Sequence, residues 1–141
     1  MFTECYCTQF RRSANALTSV YDNALRPVGL KITQLTLLRG LDRLGSATYN
    51  EIASELALDK TTISRNIKLL IDAGWVNVSS DEDARYKLAT LSPAGARVLK
   101  EAEPYWRAAQ KQVEKEVKKF LKGPAKAALL DALETLQKVG D

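Results

Sequence analysis

Thr48-Tyr49-Asn50-Glu51-Ile52-Ala53-Ser54-Glu55-Leu56-Ala57-Leu58-Asp59-Lys60-Thr61-Thr62-Ile63-Ser64-Arg65-Asn66-Ile67-Lys68-Leu69-Leu70-Ile71-Asp72-Ala73-Gly74 is the stretch on which the fold turns. Thr48 and Glu51 have capping-box spacing, in which a hydroxyl and a carboxylate each satisfy an orphan amide at a helix start. The helix they open is short, with Ile52, Ala53 and Leu56 on one side. After Ala57-Leu58, Asp59 caps a second helix running to about Ala73, with Ile63, Ile67, Leu70 and Ile71 inward and Gly74 at its end. Ala53, Ala57 and Ile63 fall where a helix-turn-helix needs a small residue, a turn residue and a core anchor, although glycine is commoner than alanine at the turn.

Outward from this pair, Trp75-Val76-Asn77-Val78-Ser79 and Tyr86-Lys87-Leu88-Ala89-Thr90-Leu91 both have strand character. The polar segment 80–85 between them is short enough for a hairpin. A helix-turn-helix followed at once by a two-stranded hairpin is a winged helix. Upstream, Phe10, Ala14, Leu17, Tyr21 and Leu25 recur at helical steps over residues 8–26. Arg26-Pro27-Val28-Gly29 stops that helix. The next is expected to start at Thr33 as N-cap, to bury Leu35, Leu38, Leu41 and Leu44, and to close at Gly45. Downstream, Ser92-Pro93 opens the longest helix, to about Lys122, with a kink expected at Pro104. Gly123-Pro124 ends it, and a last amphipathic helix carries Leu129, Leu133, Leu136 and Val139.

Composition narrows the classes. The 141 residues, 45% hydrophobic and 27% charged, suit one globular domain rather than a disordered chain. Apolar runs are broken by charge long before the roughly 20 residues that a membrane span needs. The start, Met1-Phe2-Thr3-Glu4-Cys5-Tyr6-Cys7, lacks the form of a secretory signal, so a cytoplasmic protein with free thiols is expected. No histidine is present, which removes the commonest neutral-pH acid–base group and the usual nucleophile partner. With no phosphate loop and no metal-ligand spacing, an enzyme is not expected, nor a cofactor or metal. The net charge of +4 permits an anionic partner, but its distribution does not point to one. Residues 1–106 carry 13 Lys/Arg against 12 Asp/Glu, while residues 107–126 carry seven against two, as expected of a solvated helix face.

The wing, Asp83-Ala84-Arg85-Tyr86-Lys87-Leu88-Ala89-Thr90-Leu91-Ser92, resembles the D-x-R-x(5)-L-T signature of the MarR family of bacterial and archaeal regulators, with Ser for the final Thr. Thr61-Thr62-Ile63-Ser64-Arg65-Asn66-Ile67 is similar to that family's recognition helix, Leu70-Ile71-Asp72-Ala73-Gly74-Trp75-Val76 to the run after it, and Leu91-Ser92-Pro93-Ala94-Gly95 to the entry into the fifth helix. The resemblance covers essentially the whole chain. It implies a mainly α fold with a small β-hairpin wing: a winged helix-turn-helix with N- and C-terminal dimerisation helices. Residues 1–32 would form the N-terminal dimerisation helix and turn, 33–92 the winged DNA-binding region and 93–141 the C-terminal dimerisation helices, in one compact domain. The terminal helices independently carry more apolar surface than a winged unit of about 65 residues could cover, and such patches mark interfaces.

The implied function is a transcriptional regulator, a repressor, that binds double-stranded DNA as a homodimer on a pseudo-palindromic operator with half-sites about one helical turn apart. Thr61, Thr62, Ser64, Arg65, Asn66 and Lys68 are the candidate major-groove contacts: Arg65 suits guanine, Asn66 adenine and Lys68 phosphate. Arg85 suits a narrow minor groove, and Asp83 is expected to pair with an arginine and fix the wing. Family members commonly release DNA when a small aromatic or anionic compound binds between dimer helices and winged domain. Arg11, Arg12, Tyr21, Tyr105, Trp106 and Arg107 are candidates to line such a site, though core and surface roles fit them equally. Some relatives sense oxidants through an N-terminal cysteine, which makes Cys5 and Cys7 candidate redox residues, with Arg11 or Arg12 expected to lower a thiol pKa, against the alternative of inert thiols. The rival function is a winged-helix protein-interaction module without DNA binding.

Overall fold

The computed structural model describes residues 4–80 and 86–140. In chain order they form α1 (Tyr6–Leu25), a 3-10 turn (Arg26–Val28), α2 (Ile32–Leu44), β1 (Ser46–Thr48), α3 (Tyr49–Leu56), α4 (Lys60–Asp72), β2 (Val76–Ser80), β3 (Lys87–Leu91), α5 (Pro93–Phe120) and α6 (Pro124–Leu136). Mainly helical, with one small sheet, this is the winged helix-turn-helix that the sequence predicts.

The helix starts show how far local chemistry decides the fold. Thr48 accepts the Glu51 amide at 3.2 Å and Glu51 accepts the Thr48 amide at 2.7 Å, completing the expected capping box. Asp59 accepts the Thr62 amide at 2.8 Å, and Ser92 accepts the Gly95 amide at 3.0 Å, so α4 and α5 also begin where predicted. The start of α2 differs: its N-cap is Lys31, not Thr33. Gln34 accepts the Lys31 amide at 2.9 Å, and Asp22, from α1, accepts the Ile32 amide at 2.8 Å. A side chain ten residues upstream thus replaces the local cap.

The expected hairpin pairs antiparallel with Val76 opposite Leu91 and Ser80 opposite Lys87. It also gains a third strand, unforeseen in the sequence: β1 pairs with β3, Ala47 facing Ala89, giving the order β1-β3-β2. Three residues carry too little periodicity to announce a strand, and only the non-local pairing makes one.

Leu25, Leu35, Leu38, Leu41, Ile52, Ile63, Ile67 and Leu70 are fully buried, with Val76 and Ala89 of the sheet and Ala102 of α5 in the same cluster. Leu37 joins them although it was not among the expected inward set, whereas Leu44 and Ile71, expected inward, are about 40% exposed. The joint between α4 and α5 is tight. Ser92 donates its hydroxyl to the Gly74 carbonyl, and its amide donates to the Trp75 carbonyl. A Cβ at Gly95 would lie 2.0 Å from the Trp75 carbonyl oxygen, so only glycine fits there.

The terminal helices are different. On α1, of the stripe expected to be inward, Leu25 is buried and Tyr21 half-buried, while Phe10, Ala14 and Leu17 are exposed. No residue of α6 is buried, and Val139 lies beyond its end, exposed. α5 runs helical through Pro104. Among the described residues no helix is long and apolar enough to cross a membrane.

Candidate nucleic-acid interface

α3 and α4 meet at a turn in which Ala57 takes a left-handed conformation, φ 51° and ψ 42°. That turn is where glycine was anticipated, and alanine holds it under mild strain. It orients α4 so that Ile63, Ile67 and Leu70 anchor one side in the core. At 3.6 residues per turn the opposite side is Thr61, Arg65 and Lys68, spaced i, i+4 and i+7. All three are exposed, as is Ser64 on the flank. Arg65 and Lys68 have no ion-pair or hydrogen-bond partner among the described residues, so their charge and donors face outward unspent.

The two other candidates on α4 are less open. Thr62 donates its hydroxyl to Asp59 at 2.7 Å and is half-buried, so its side chain serves the helix cap. Those bonds, with the Thr62 amide first, hold the Asp59 carboxyl below its ordinary range. Asn66 is half-buried on the rim of the core. Asp83 and Arg85 lie outside the described residues.

Beside this stripe the start of α3, the start of α4 and the root of the wing enclose a cleft of about 220 Å³, lined by Thr48, Tyr49, Asn50, Lys60, Tyr86 and Lys87. Its lining holds two ammonium groups, amide and hydroxyl donors, and no carboxylate, a chemistry suited to a backbone phosphate. Lys60 and Lys87 were not singled out from sequence, because only the tertiary fold brings them together. Some basic residues elsewhere are paired within the chain: Lys118 and Lys126 flank Glu114, and Lys119 pairs with Glu116 at 2.8 Å. That agrees with the solvated-face expectation for residues 107–126.

The residues considered for an effector site divide. Trp106 lies under the Arg39 guanidinium, 3.9 Å from its ring centre, and Arg107 pairs with Glu103 at 2.8 Å. Tyr21 donates to Gln110, joining α1 to α5. Arg11, Arg12 and Tyr105 are exposed. Cys5 and Cys7 are exposed at the start of α1, with no disulfide between them. The Cys5 thiol is held below its ordinary value, and the group that does most of this is the Thr8 hydroxyl, not the anticipated Arg11 or Arg12. Among the described residues no cluster of His, Cys, Asp or Glu could hold a metal ion.

Comparison with known proteins agrees with the geometry. The profile of the MarR family matches residues 28–85. YwoH of Bacillus subtilis, an uncharacterised HTH-type transcriptional regulator, is 33% identical over 93 residues, spanning 66% of this chain and 68% of YwoH. The M. tuberculosis transcriptional regulator MosR, solved in complex with DNA, superposes with a TM-score of 0.83 at 32% identity, over 97% of this chain and 96% of MosR. Bordetella bronchiseptica BpsR shares the fold, with a TM-score of 0.81 at 20% identity over 99% of this chain and 98% of BpsR. With these relatives, its helix-turn-helix and its three-stranded wing, the chain belongs to the MarR family of transcriptional regulators, which are not enzymes.

Proposed function

We propose that the protein binds double-stranded DNA as a homodimer and represses transcription from a pseudo-palindromic operator. α4 enters the major groove, and the wing follows the adjacent backbone and minor groove, with Arg85 as the wing residue that contacts DNA. The observation that carries this reading is the exposed Thr61, Arg65 and Lys68 stripe, with Arg65 and Lys68 unpartnered among the described residues, directly opposite the Ile63, Ile67 and Leu70 anchors. MosR, similar over nearly its full length, was solved in complex with DNA. The dimer is supported by apolar surface that the single chain leaves open on α1, the end of α5 and α6, where Tyr6, Phe120 and Leu130 are exposed. Residues 33–92 then read DNA, while 1–32 and 93–141 supply the contact between subunits.

Selection of an operator from random duplexes, followed by fluorescence anisotropy, tests the reading. Arg65→Ala is expected to weaken operator binding by about 1 to 3 kcal/mol and to relax base preference, with the dimer intact. Arg85→Ala is expected to cost a similar amount, whereas Lys68→Ala should weaken all sequences alike and reduce the salt slope by about one. Unchanged binding in the Arg65 variant, or no DNA selected by the wild type, overturns it.

Release by a signal completes the proposal. DNA binding by BpsR is regulated by 6-hydroxynicotinic acid, and a small aromatic or anionic effector acting between the winged part and the terminal helices is the corresponding device here. An oxidant signal is favoured by one observation, the exposed Cys5 thiol with its lowered pKa. A hydroperoxide would oxidise Cys5 to a sulfenic acid and leave as an alcohol or water, and a Cys7 thiol, on the other subunit, would displace water to form a disulfide. Peroxide treatment is expected to give a crosslinked dimer on non-reducing electrophoresis and weaker DNA binding. Absence of both eliminates the oxidant arm alone.

A further inference from the structure

We propose that Arg39 and Glu103 are positioning residues that fix the angle between the winged part and the outer half of α5, and so select the half-site spacing that the dimer accepts. This rests on the homodimeric DNA-binding function above.

α5 changes character along its length. Gly95, Val98 and Ala102 are buried in the winged core, whereas beyond Pro104 only Ala109 is buried among its described residues. Pro104 stands at that change. It has no amide to give the carbonyl of Lys100, and its ring crowds that carbonyl, which makes this turn the weakest of the helix. α2 reaches across at the same place. Arg39 Nη2 lies 2.8 Å from Glu103 Oε2, its guanidinium stacks over Trp106, and Arg107 Nε lies 2.8 Å from Glu103 Oε1. One arginine of α2 thus holds residues on both sides of the proline, 103 before it and 106 after it, and Glu103 carries a cation on each oxygen. These contacts hold the Glu103 carboxyl below its ordinary range, Arg107 contributing most and Arg39 next. One turn further out, the bond from Tyr21 of α1 to Gln110 steadies the outer half.

The geometry makes this joint matter. The 16 residues after Pro104 to Phe120 form a lever of roughly 24 Å at 1.5 Å per residue. A bend of about 10° at its base moves the far end by about 4 Å, more than the ~3.4 Å between successive base steps. A loosened joint therefore blurs spacing by a full base pair. Half-exposed ion pairs add little to stability, so breaking them should leave the fold and the dimer in place.

The test uses the full chain and the selected operator, with the half-site separation changed by one base pair in either direction. The wild type is expected to prefer one spacing over its neighbours by about tenfold, and Glu103→Gln and Arg39→Met to reduce that preference to about threefold or less. Arg39→Lys, which keeps the charge but not the planar stack, should fall between. Affinity for an isolated half-site, sedimentation as a dimer and the far-ultraviolet dichroism should stay at wild-type values. An unchanged spacing ratio in both variants overturns the proposal, as does an equal loss at every spacing, which would make the cluster merely stabilising. If the wild type binds its operator with no spacing preference, DNA recognition stands and this inference fails. If it selects no DNA at all, both fall.

Discussion

The winged part and the terminal helices solve the problem of burying apolar side chains in opposite ways. Between α2 and β3 the chain closes its own core: eight leucine and isoleucine side chains on α2, α3 and α4 are fully buried, and a glycine is required where α5 passes Trp75. On α1, the end of α5 and α6, comparable side chains stay in water, with Phe120 at 85% exposure. The difference teaches that one chain contains a finished winged unit and an unfinished scaffold. Stability of the first should respond to packing within the chain, and that of the second to association.

The sharpest way to break that contrast is at Gly95. Gly95→Ala drives a methyl group into the Trp75 carbonyl, and a loss of about 3 kcal/mol or more is expected in chemical denaturation, regardless of protein concentration. On the unfinished side, Phe120→Asp with Leu136→Asp should weaken self-association at least about a hundredfold in sedimentation equilibrium, while the helical signal persists. A monomer with a melted winged part would show that the two regions are not separable.

Smaller changes sharpen the picture. Ala57→Gly relieves the left-handed strain at the helix-turn-helix corner, and a gain of about 0.5 to 1 kcal/mol is expected in thermal unfolding. The smallest effect is that of acid. Asp59 in the winged part, Glu103 at the joint and Glu114 on the scaffold all have lowered folded pKa values. A group held lower in the folded state stabilises above its unfolded pKa, and that contribution is lost as pH falls through the folded value. Stability should therefore be level above the carboxylate range and decline below it, with a shallower decline for Asp59→Asn. Asp59 is exposed and the other two carboxylates are half-exposed, so solvent screens all three and the decline should be gentle.

What the sequence made legible divides along the same line. Thr48 with Glu51, Asp59 and Ser92 with Pro93 satisfy their helix starts with neighbours in sequence, so they could be read directly. The cap of α2 could not, because Asp22 supplies it from another helix. Nor could β1, which exists only through its pairing with β3. The exposed stripe of α4 was legible because helical periodicity alone separates Arg65 from Ile63. The engagement of Thr62 by Asp59 and the cleft that joins Lys60 to Lys87 required the turn at Ala57 to be built first. Periodicity marked Phe10 and Leu17 as apolar positions to be covered, but a single chain has nothing to cover them with.

Both roots of the hairpin are moored independently of what lies between them. Val76 and Leu91 face each other at its base, and Ser92 ties the returning strand to Gly74 and Trp75. The register of the two strands is thereby set at the base, next to the core, so changes farther along the hairpin would leave the placement of α4 unaltered.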